Sequence, residues 1–569
     1  MKNIVTNLIV KTGLNTTKMF RYGSIACFSL FAIIFFFGED NVMLAFPIAL
    51  TSIALSFENI RIKTFKKIFK LLSLDCSLVI LSYLATKNLY IGIFINSITI
   101  FFIAYFFTFS FNPKIYKPFL MLFIFTSFSH DNINGLLNKL LAIIFGCLLV
   151  ILLNYIFDKN NKNDLISDFQ SIFSLLSLQI ENILNSNFDL EIYNNINRNL
   201  RNISYSIHIS KSSKYLTTLN GKFKLEMYLH ISLLNNLLYK EFHIEPNTKQ
   251  SSLDILNYIA SYIKKLEIKN IYSIDSLYFF SNELYKLLFE KKLVDSKNLV
   301  FLIKNISMTL YNYKNSTTKE LKSHFKPWIR SSLLGKNSLF KQNIFKGSTR
   351  LYFSLRLSIT LTSCLFFSHL FETSKIIWIA ITIMSVMQIY YEETISKSKD
   401  RIKGNFIGLS LFIILSFLHI KELAWIVLFL SLFLTYGFKE YYKLSIFTTL
   451  ASLSVTSIFL HINEVALVRA SLVLLGLLIV FLANKFLFPT KIERGIQILI
   501  SRLLFYNSKF IESINTNHIE DLASILILIS LTNEKLYTRN LILKNTEINN
   551  LIKLNNLTII EIAYFELIK

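Results

Sequence analysis

Apolar runs gather in two blocks of this chain and leave a long polar stretch between them. The first block holds runs at 22–37, 42–57, 68–85, 89–109, 115–128 and 136–157. The second holds runs at 353–371, 376–391, 404–418, 423–436, 444–460 and 465–488. A run of about 20 apolar residues as a helix crosses the hydrocarbon core of a bilayer, and only helices or closed barrels satisfy their backbone there. The pattern therefore predicts an all-α polytopic membrane protein with six helices in each block. Composition agrees, with 53% apolar and only 17% charged residues. The hydropathy excludes a soluble enzyme.

Lysine and arginine test the topology. With the N-terminus inside, the inner loops at 58–70, 110–117, 392–403 and 437–443 carry 13 of them. The outer loops "GEDN", "TKN", "SHDNING", "ETSK", "HIKE" and "HINE" carry 3. Basic residues collect on the cytoplasmic side, so this asymmetry predicts twelve spans with both termini cytoplasmic. It also accounts for the formal net charge of +24 without a nucleic-acid partner. The partner it predicts is the lipid bilayer.

The domain organisation expected is a cytoplasmic N-terminus at 1–21, a first membrane block at 22–157, a helical cytoplasmic domain at 158–349, a second block at 350–489 and a helical cytoplasmic region at 490–569. In "DLISDFQSIFSLLSLQIENIL", Leu165, Phe169, Ile172, Leu176 and Ile180 recur at helical spacing, and Asp164 is placed as N-cap. Neither polar region holds a phosphate loop, a zinc motif or paired CxxC. No enzymatic activity, cofactor or metal is expected. Cys27, Cys76, Cys147 and Cys364 lie inside apolar runs without metal-ligand spacing. The His and acidic residues at the outer loops, His130, Asp131, His369, Glu372, His461 and Glu464, are too loosely spaced for a metal site.

The blocks echo each other. "KLLAIIFGCLLVILLNYIF" closes the first and "RASLVLLGLLIVFLANKFLF" closes the second. Lys139, Gly146 and Asn154 recur in register as Arg469, Gly476 and Asn484. Glu39 and Glu372 end the first run of each block, and Glu58 and Glu392 end the second. This is the signature of a parallel repeat, a common way to build a transporter with its pathway at the repeat interface.

The stretch "RLSITLTS…WIAITIMSVMQ…T…RxxGxxxG" resembles the fusaric acid resistance (FUSC) family through Arg356, Trp378, Gln388, Thr394, Arg401, Gly404 and Gly408. Arg469, Gly476 and Pro489 extend the resemblance into the last run. Ile389 stands where the family usually has proline, and Asn405 where it usually has threonine. The resemblance covers about 350–490, and the layout is similar to the full-length bacterial inner-membrane members. It implies gradient-driven efflux of small organic, including aromatic, acids or toxic compounds, with an organic anion as substrate. It also implies a homo-oligomer and a periplasmic adaptor as partners.

The candidate substrate-pathway residues are Arg356, Trp378, Gln388, Arg401, Arg469 and Lys139. A buried cation in a span lines a cavity, pairs with an acid or snorkels to the headgroups. Arg401 and Arg469 are expected near opposite ends of the second block. Gly404, Gly408, Gly146 and Gly476 are expected to allow close helix packing. Asp75 is the one acidic residue placed within a span. It is the proton-coupling candidate, and an ion pair with Lys70 or Lys67 is the structural alternative. A passive anion channel and a membrane scaffold recruiting cytoplasmic partners are the competing functions.

Overall fold

The computed structural model describes residues 14–38, 41, 44–48, 50, 64–108, 115–128, 132–158, 165–210, 218–240, 242, 253–254, 256–257, 260, 263, 272–289, 297–317, 320–321, 323, 348–416, 421–438, 440–459, 462–515 and 519–568. The elements are helices. The first group is α1 (Thr16–Phe37), α2 (Thr64–Lys87), α3 (Leu89–Phe107), α4 (Tyr116–Ser127) and α5 (Ile133–Asp158). Next come α6 (Leu165–Leu184), α7 (Leu190–Ser210), α8 (Leu219–Tyr239), α9 (Tyr272–Phe289) and α10 (Lys297–Asn315). Then follow α11 (Thr349–Leu370), a short 3₁₀ turn (Ser374–Ile376), α12 (Ile377–Val386), α13 (Tyr391–Ser416), α14 (Lys421–Thr435), α15 (Tyr441–Phe459) and α16 (Ile462–Phe486). The chain closes with α17 (Ile492–Asn515), α18 (Ile519–Leu543) and α19 (Thr546–Ile568). Two compact units result: 1–161 with 339–495, and 162–338 with 496–569.

In the first unit both apolar blocks share one core. Ile25, Leu30 and Ile33 of α1, Phe119 and Phe123 of α4, Leu357 and Leu361 of α11 and Leu428 and Leu432 of α14 all belong to it. The pairing is reciprocal. The first apolar run of each block packs on the fourth apolar run of the other: α1 on α14, and α11 on α3. Within the blocks, α1 packs on α5 as α11 does on α16, and α2 on α4 as α13 does on α15.

Among the described residues six helices are long and apolar enough to cross a membrane: Met19–Phe37, Ile68–Lys87, Leu89–Phe107, Ile133–Asn154, Thr349–Leu370 and Val468–Phe486. Their polarity is inverted relative to a soluble helix. Leu137, Leu141, Leu148, Leu152 and Ile156 face outward on α5, while Lys139, Gly146, Cys147 and Asn154 are buried. An outward apolar stripe of this length is stable against lipid and not against water. α12 has 10 residues and rises only about 15 Å, too short to span alone.

The sequence places a loop at 392–403, and here the structure differs. Residues 391–416 form one helix, and the break lies earlier, at 387–390. Glu392 and Glu393 occupy the first turn of α13, where acidic side chains complement the helix dipole. The basic residues Lys397, Lys399, Arg401 and Lys403 are therefore helical.

α13 crosses α15 closely because Gly404 permits it. A Cβ on Gly404 would lie 2.7 Å from the Tyr442 carbonyl oxygen and 2.5 Å from Ser445 Cβ. On Gly408 it would lie 3.0 Å from the Ile446 carbonyl oxygen. Gly404→Leu is expected to cost on the order of 3 kcal/mol through overpacking, because a backbone carbonyl cannot move aside. Ile407→Leu, on the exposed side of the same helix, is the control. Equal detergent melting temperatures for the two variants would contradict the close approach.

The second unit is a helical domain to which the C-terminal helices belong. Leu165, Phe169, Ile172, Leu176 and Ile180 of α6 are all buried, as their spacing predicts. Asp164, placed as the cap of this helix, lies outside the described residues, and the Leu165 N–H donates to the Tyr313 hydroxyl at 3.0 Å. Arg201 of α7 donates to Glu534 of α18 at 2.6 Å and lies 4.5 Å from the centre of the Tyr537 ring. Residues 496–569 thus complete the central helical domain, while 490–495 belong to the first unit.

His230 of α8 is buried in this unit, with Nε2 3.3 Å from Thr309 Oγ1. Burial drives its imidazole from 6.5 down to about 3. The unfolded chain therefore takes up a proton that the folded unit refuses between those values. Stability is complete above about pH 6.5 and falls as the pH drops toward 3, by up to about 1.4 kcal/mol per pH unit. Hydrogen exchange of α8 amides in the full chain, corrected for intrinsic rates, should accelerate between pH 7 and pH 5, and His230→Leu should flatten that change.

Candidate functional site

The residues singled out in the second block sort into two constructions. The first is the break between α12 and α13. Arg356 of α11 is fully buried, and its guanidinium donates to the Gln388 carbonyl at 2.7 Å, the Ile389 carbonyl at 3.0 Å and the Phe488 carbonyl at 3.3 Å. Phe488 adopts a left-handed backbone (φ 49°) just past α16, which delivers its carbonyl to the same group. Thr394 Oγ1 accepts from the Gln388 N–H at 3.1 Å, and Thr490 Oγ1 donates to the Ile389 carbonyl. The Gln388 amide turns back on the Val386 and Met387 carbonyls at 3.3 and 2.6 Å. Unwound backbone in a membrane protein must be satisfied by protein groups, and these side chains do so. Gln388 and Arg356, both placed on the substrate pathway by the sequence, have their hydrogen-bonding groups directed at this break.

The second construction is a pair of buried cations. Arg469 of α16 is 3% exposed, and its guanidinium lies 4.1 Å from the centre of the Trp378 ring on α12. A guanidinium over an indole gains about 2 kcal/mol when desolvated. Its Nε and Nη1 are buried and make no hydrogen bond. Arg401 of α13 is 4% exposed. Its Nη1 reaches Ser445 Oγ at 3.5 Å and Thr448 Oγ1 at 3.4 Å, both long, and its Nε makes none.

Arg401 and Arg469 lie within electrostatic range and repel each other. The expectation that they stand at opposite ends of the block is thus corrected. Gly404 draws α13 onto α15, and Gly476 seats α16 on α12, where an added Cβ would lie 3.0 Å from Thr382 Cβ. Asn405, next to Gly404, stands out in the sequence only as a departure from the family pattern, not as a site residue. It is buried, accepts from Thr449 Oγ1 at 2.5 Å, and leaves its Nδ2 donor without a partner. No carboxylate pairs with either arginine among the described residues. Two buried guanidiniums without a counter-charge are costly in a low-dielectric interior, and a bound anion removes that cost.

In the first block, Asp75 of α2 is fully buried. Cys147 of α5 donates its S–H to Asp75 Oδ2 at 3.4 Å, and Oδ1 makes no hydrogen bond. The ion pair with Lys70 does not form: Lys70 is exposed. The Lys67 side chain lies outside the described residues. Lys139 is buried on α5 at the place Arg469 takes on α16, and Gly146 rests against Ile48 and Ile33 as Gly476 does against Thr382. His130, Asp131, Glu39, Glu58 and His461 lie outside the described residues, as does the Glu464 side chain.

Residues 362–483 match a family model described as fusaric acid resistance protein-like. Over that stretch, about a fifth of the chain, the sequence is similar to that family. No curated protein and no solved structure matches the chain. The matched segment runs from within α11 to near the end of α16. It contains Trp378, Gln388, Arg401, Asn405, Arg469 and the glycines that bring α13 and α16 onto their neighbours, and Arg356 lies just outside it. The six helices among the described residues that are able to cross a bilayer mark a multi-pass membrane protein, and the matched segment points to a transport-related role.

Proposed function

We propose that the chain is a secondary exporter of small organic anions in the bacterial inner membrane, with Arg401 and Arg469 as the anion site. The observation that carries this is the pair itself: two buried guanidiniums that repel each other and have no acidic partner among the described residues. A guanidinium binds a carboxylate through two parallel hydrogen bonds and stays charged. The Trp378 ring beside Arg469 offers an aromatic substrate a face to stack on. The reciprocal packing of α1 on α14 and α11 on α3 supports two six-helix repeats in parallel, with this site in the second. Export then carries the anion from the cytoplasmic side outward.

Proteoliposomes loaded with labelled phthalate, benzoate or succinate test the reading, with and without a pH gradient. Saturable, protein-dependent flux of at least one is expected. Flux of none would overturn it. The topology is tested separately. In a chain freed of its four cysteines, a cysteine at the exposed Ser186 is expected to be cytoplasmic and one at the exposed Thr373 external. Labelling of Ser186→Cys by an impermeant reagent added outside would reverse the orientation.

A further inference from the structure

The first block carries a second buried charge that the anion site does not use. Asp75 is the only acidic group placed inside an apolar helix of α1 to α5 before their ends, and its surroundings are unusual. Oδ2 receives the Cys147 thiol at 3.4 Å, a weak donor, and Oδ1 receives nothing. The helices packed around α2 are α3, α4 and α5. Among the described side chains they carry Tyr90, Tyr105, Tyr116, Lys117 and Lys139 as further titratable groups, yet of the described groups only Cys147 and the adjacent Cys76 interact with the carboxyl; the Tyr155 and Asp158 side chains of α5 lie outside the described residues. Lys117 Nζ instead donates to the Ser385 carbonyl at 3.1 Å.

An ionised carboxylate in that setting forfeits several kcal/mol of hydration with no cation among the described residues to repay it. It must hold a proton or recruit a positive ion. A structural carboxylate would be ion-paired or fully hydrogen-bonded, and among the described residues this one is neither. Asn154 adds an independent observation. It sits on α5 about 10 Å along the helix from Cys147, two turns on and on nearly the same face. It is fully buried, and neither its amide nitrogen nor its amide oxygen finds a hydrogen-bond partner. A side chain that both donates and accepts, left open in this position, is a relay point between the carboxyl and the far end of α5.

We propose that Asp75 is a proton-exchange site of the transport cycle, with Cys147 orienting its carboxyl and Asn154 on the path to the inner face; this rests on the transporter reading above. In the cycle Asp75 Oδ1 gains one proton from the outer side and releases the same proton to the inner side. Only that O–H bond forms and breaks, and the Cys147 thiol keeps its hydrogen throughout. Proton entry then drives anion exit.

Infrared difference spectroscopy on the full chain in lipid nanodiscs reads the carboxyl without any substrate. Raising the pH should remove the carbonyl stretch of a protonated buried carboxylic acid. Asp75→Asn should lack that change, and Cys147→Ala should shift the band because the thiol hydrogen bond is lost. The same pH-difference spectrum in the wild type and Asp75→Asn overturns the proposal. The second arm uses labelled phthalate in proteoliposomes. Asp75→Asn should still exchange phthalate at equal pH on both sides but lose accumulation driven by a pH gradient. Wild-type accumulation in Asp75→Asn, or accumulation driven by sodium instead, overturns it. Failure of the wild type to move phthalate, benzoate or succinate would overturn the anion reading, and the infrared arm would still decide whether Asp75 exchanges a proton.

Discussion

Arg356→Met is expected to leave a chain that inserts poorly and, where it can be purified, melts far below the wild type. Three backbone carbonyls, at Gln388, Ile389 and Phe488, lose a charged donor at once. Methionine fills much of the volume but donates nothing. Removing one partner of a buried charged contact costs on the order of 3–5 kcal/mol, and water cannot replace it in a lipid-facing assembly. Arg356→Lys should recover only part of the loss, because an ammonium cannot hold the planar fork that serves two segments together. The measurement is the melting temperature in one detergent across the wild type and both variants. A methionine variant within a degree or two of the wild type would show that the break between α12 and α13 stands without its clamp.

Arg469→Gln is expected to do the reverse. Its guanidinium has no acidic partner among the described residues and is repelled by Arg401, so the folded protein bears its cost without a matching gain. Removing the charge should leave the melting temperature unchanged or higher. Anion flux should fall by about tenfold or more, the loss expected for one charge-assisted contact of at least about 1.4 kcal/mol. Arg401→Gln should behave in the same direction, and Arg469→Lys should restore the charge but only part of the flux. Both readouts are taken at matched protein levels in proteoliposomes and in detergent. A drop in stability with flux retained would make Arg469 a structural residue like Arg356. Residues that fold a protein and residues that serve a ligand thus part company by the sign of their effect on stability.

Much of this architecture is legible in the chain. The inward face of α5 and α16 can be read from Lys139, Gly146 and Asn154 against Arg469, Gly476 and Asn484, because polar residues in a lipid-exposed helix turn inward. The periodicity of α6 gives its buried face directly. The break at 387–390 is not legible, because Met387, Gln388, Ile389 and Tyr390 continue an apolar run and contain neither glycine nor proline. What unwinds the chain there is a set of distant partners, Arg356 and Thr490, invisible to a local window. The start of α13 is missed for the opposite reason: its charged first turns read as a loop although their acidic residues favour a helix. The approach of Arg401 to Arg469 depends on how closely α13 and α16 seat on their neighbours, which hydropathy does not encode. Asn405 carried a signal as an amide beside the glycine face, but its open donor is visible only once Thr449 is in place. The union of the C-terminal helices with the central domain rests on pairs such as Arg201 and Glu534, more than three hundred residues apart.

The anion site is tested most directly by the fluorescence of Trp378, which lies against the Arg469 guanidinium. In a chain with Trp328 and Trp425 replaced by phenylalanine, Trp378 is the only indole left. An anion bound between Arg401 and Arg469 must change the charge next to that ring. Titration with phthalate should give a saturable change in emission that weakens with salt, and Arg401→Gln should shift it to higher concentration. The absence of any saturable change in the otherwise intact chain with phthalate, benzoate and succinate would contradict an anion site at this pair.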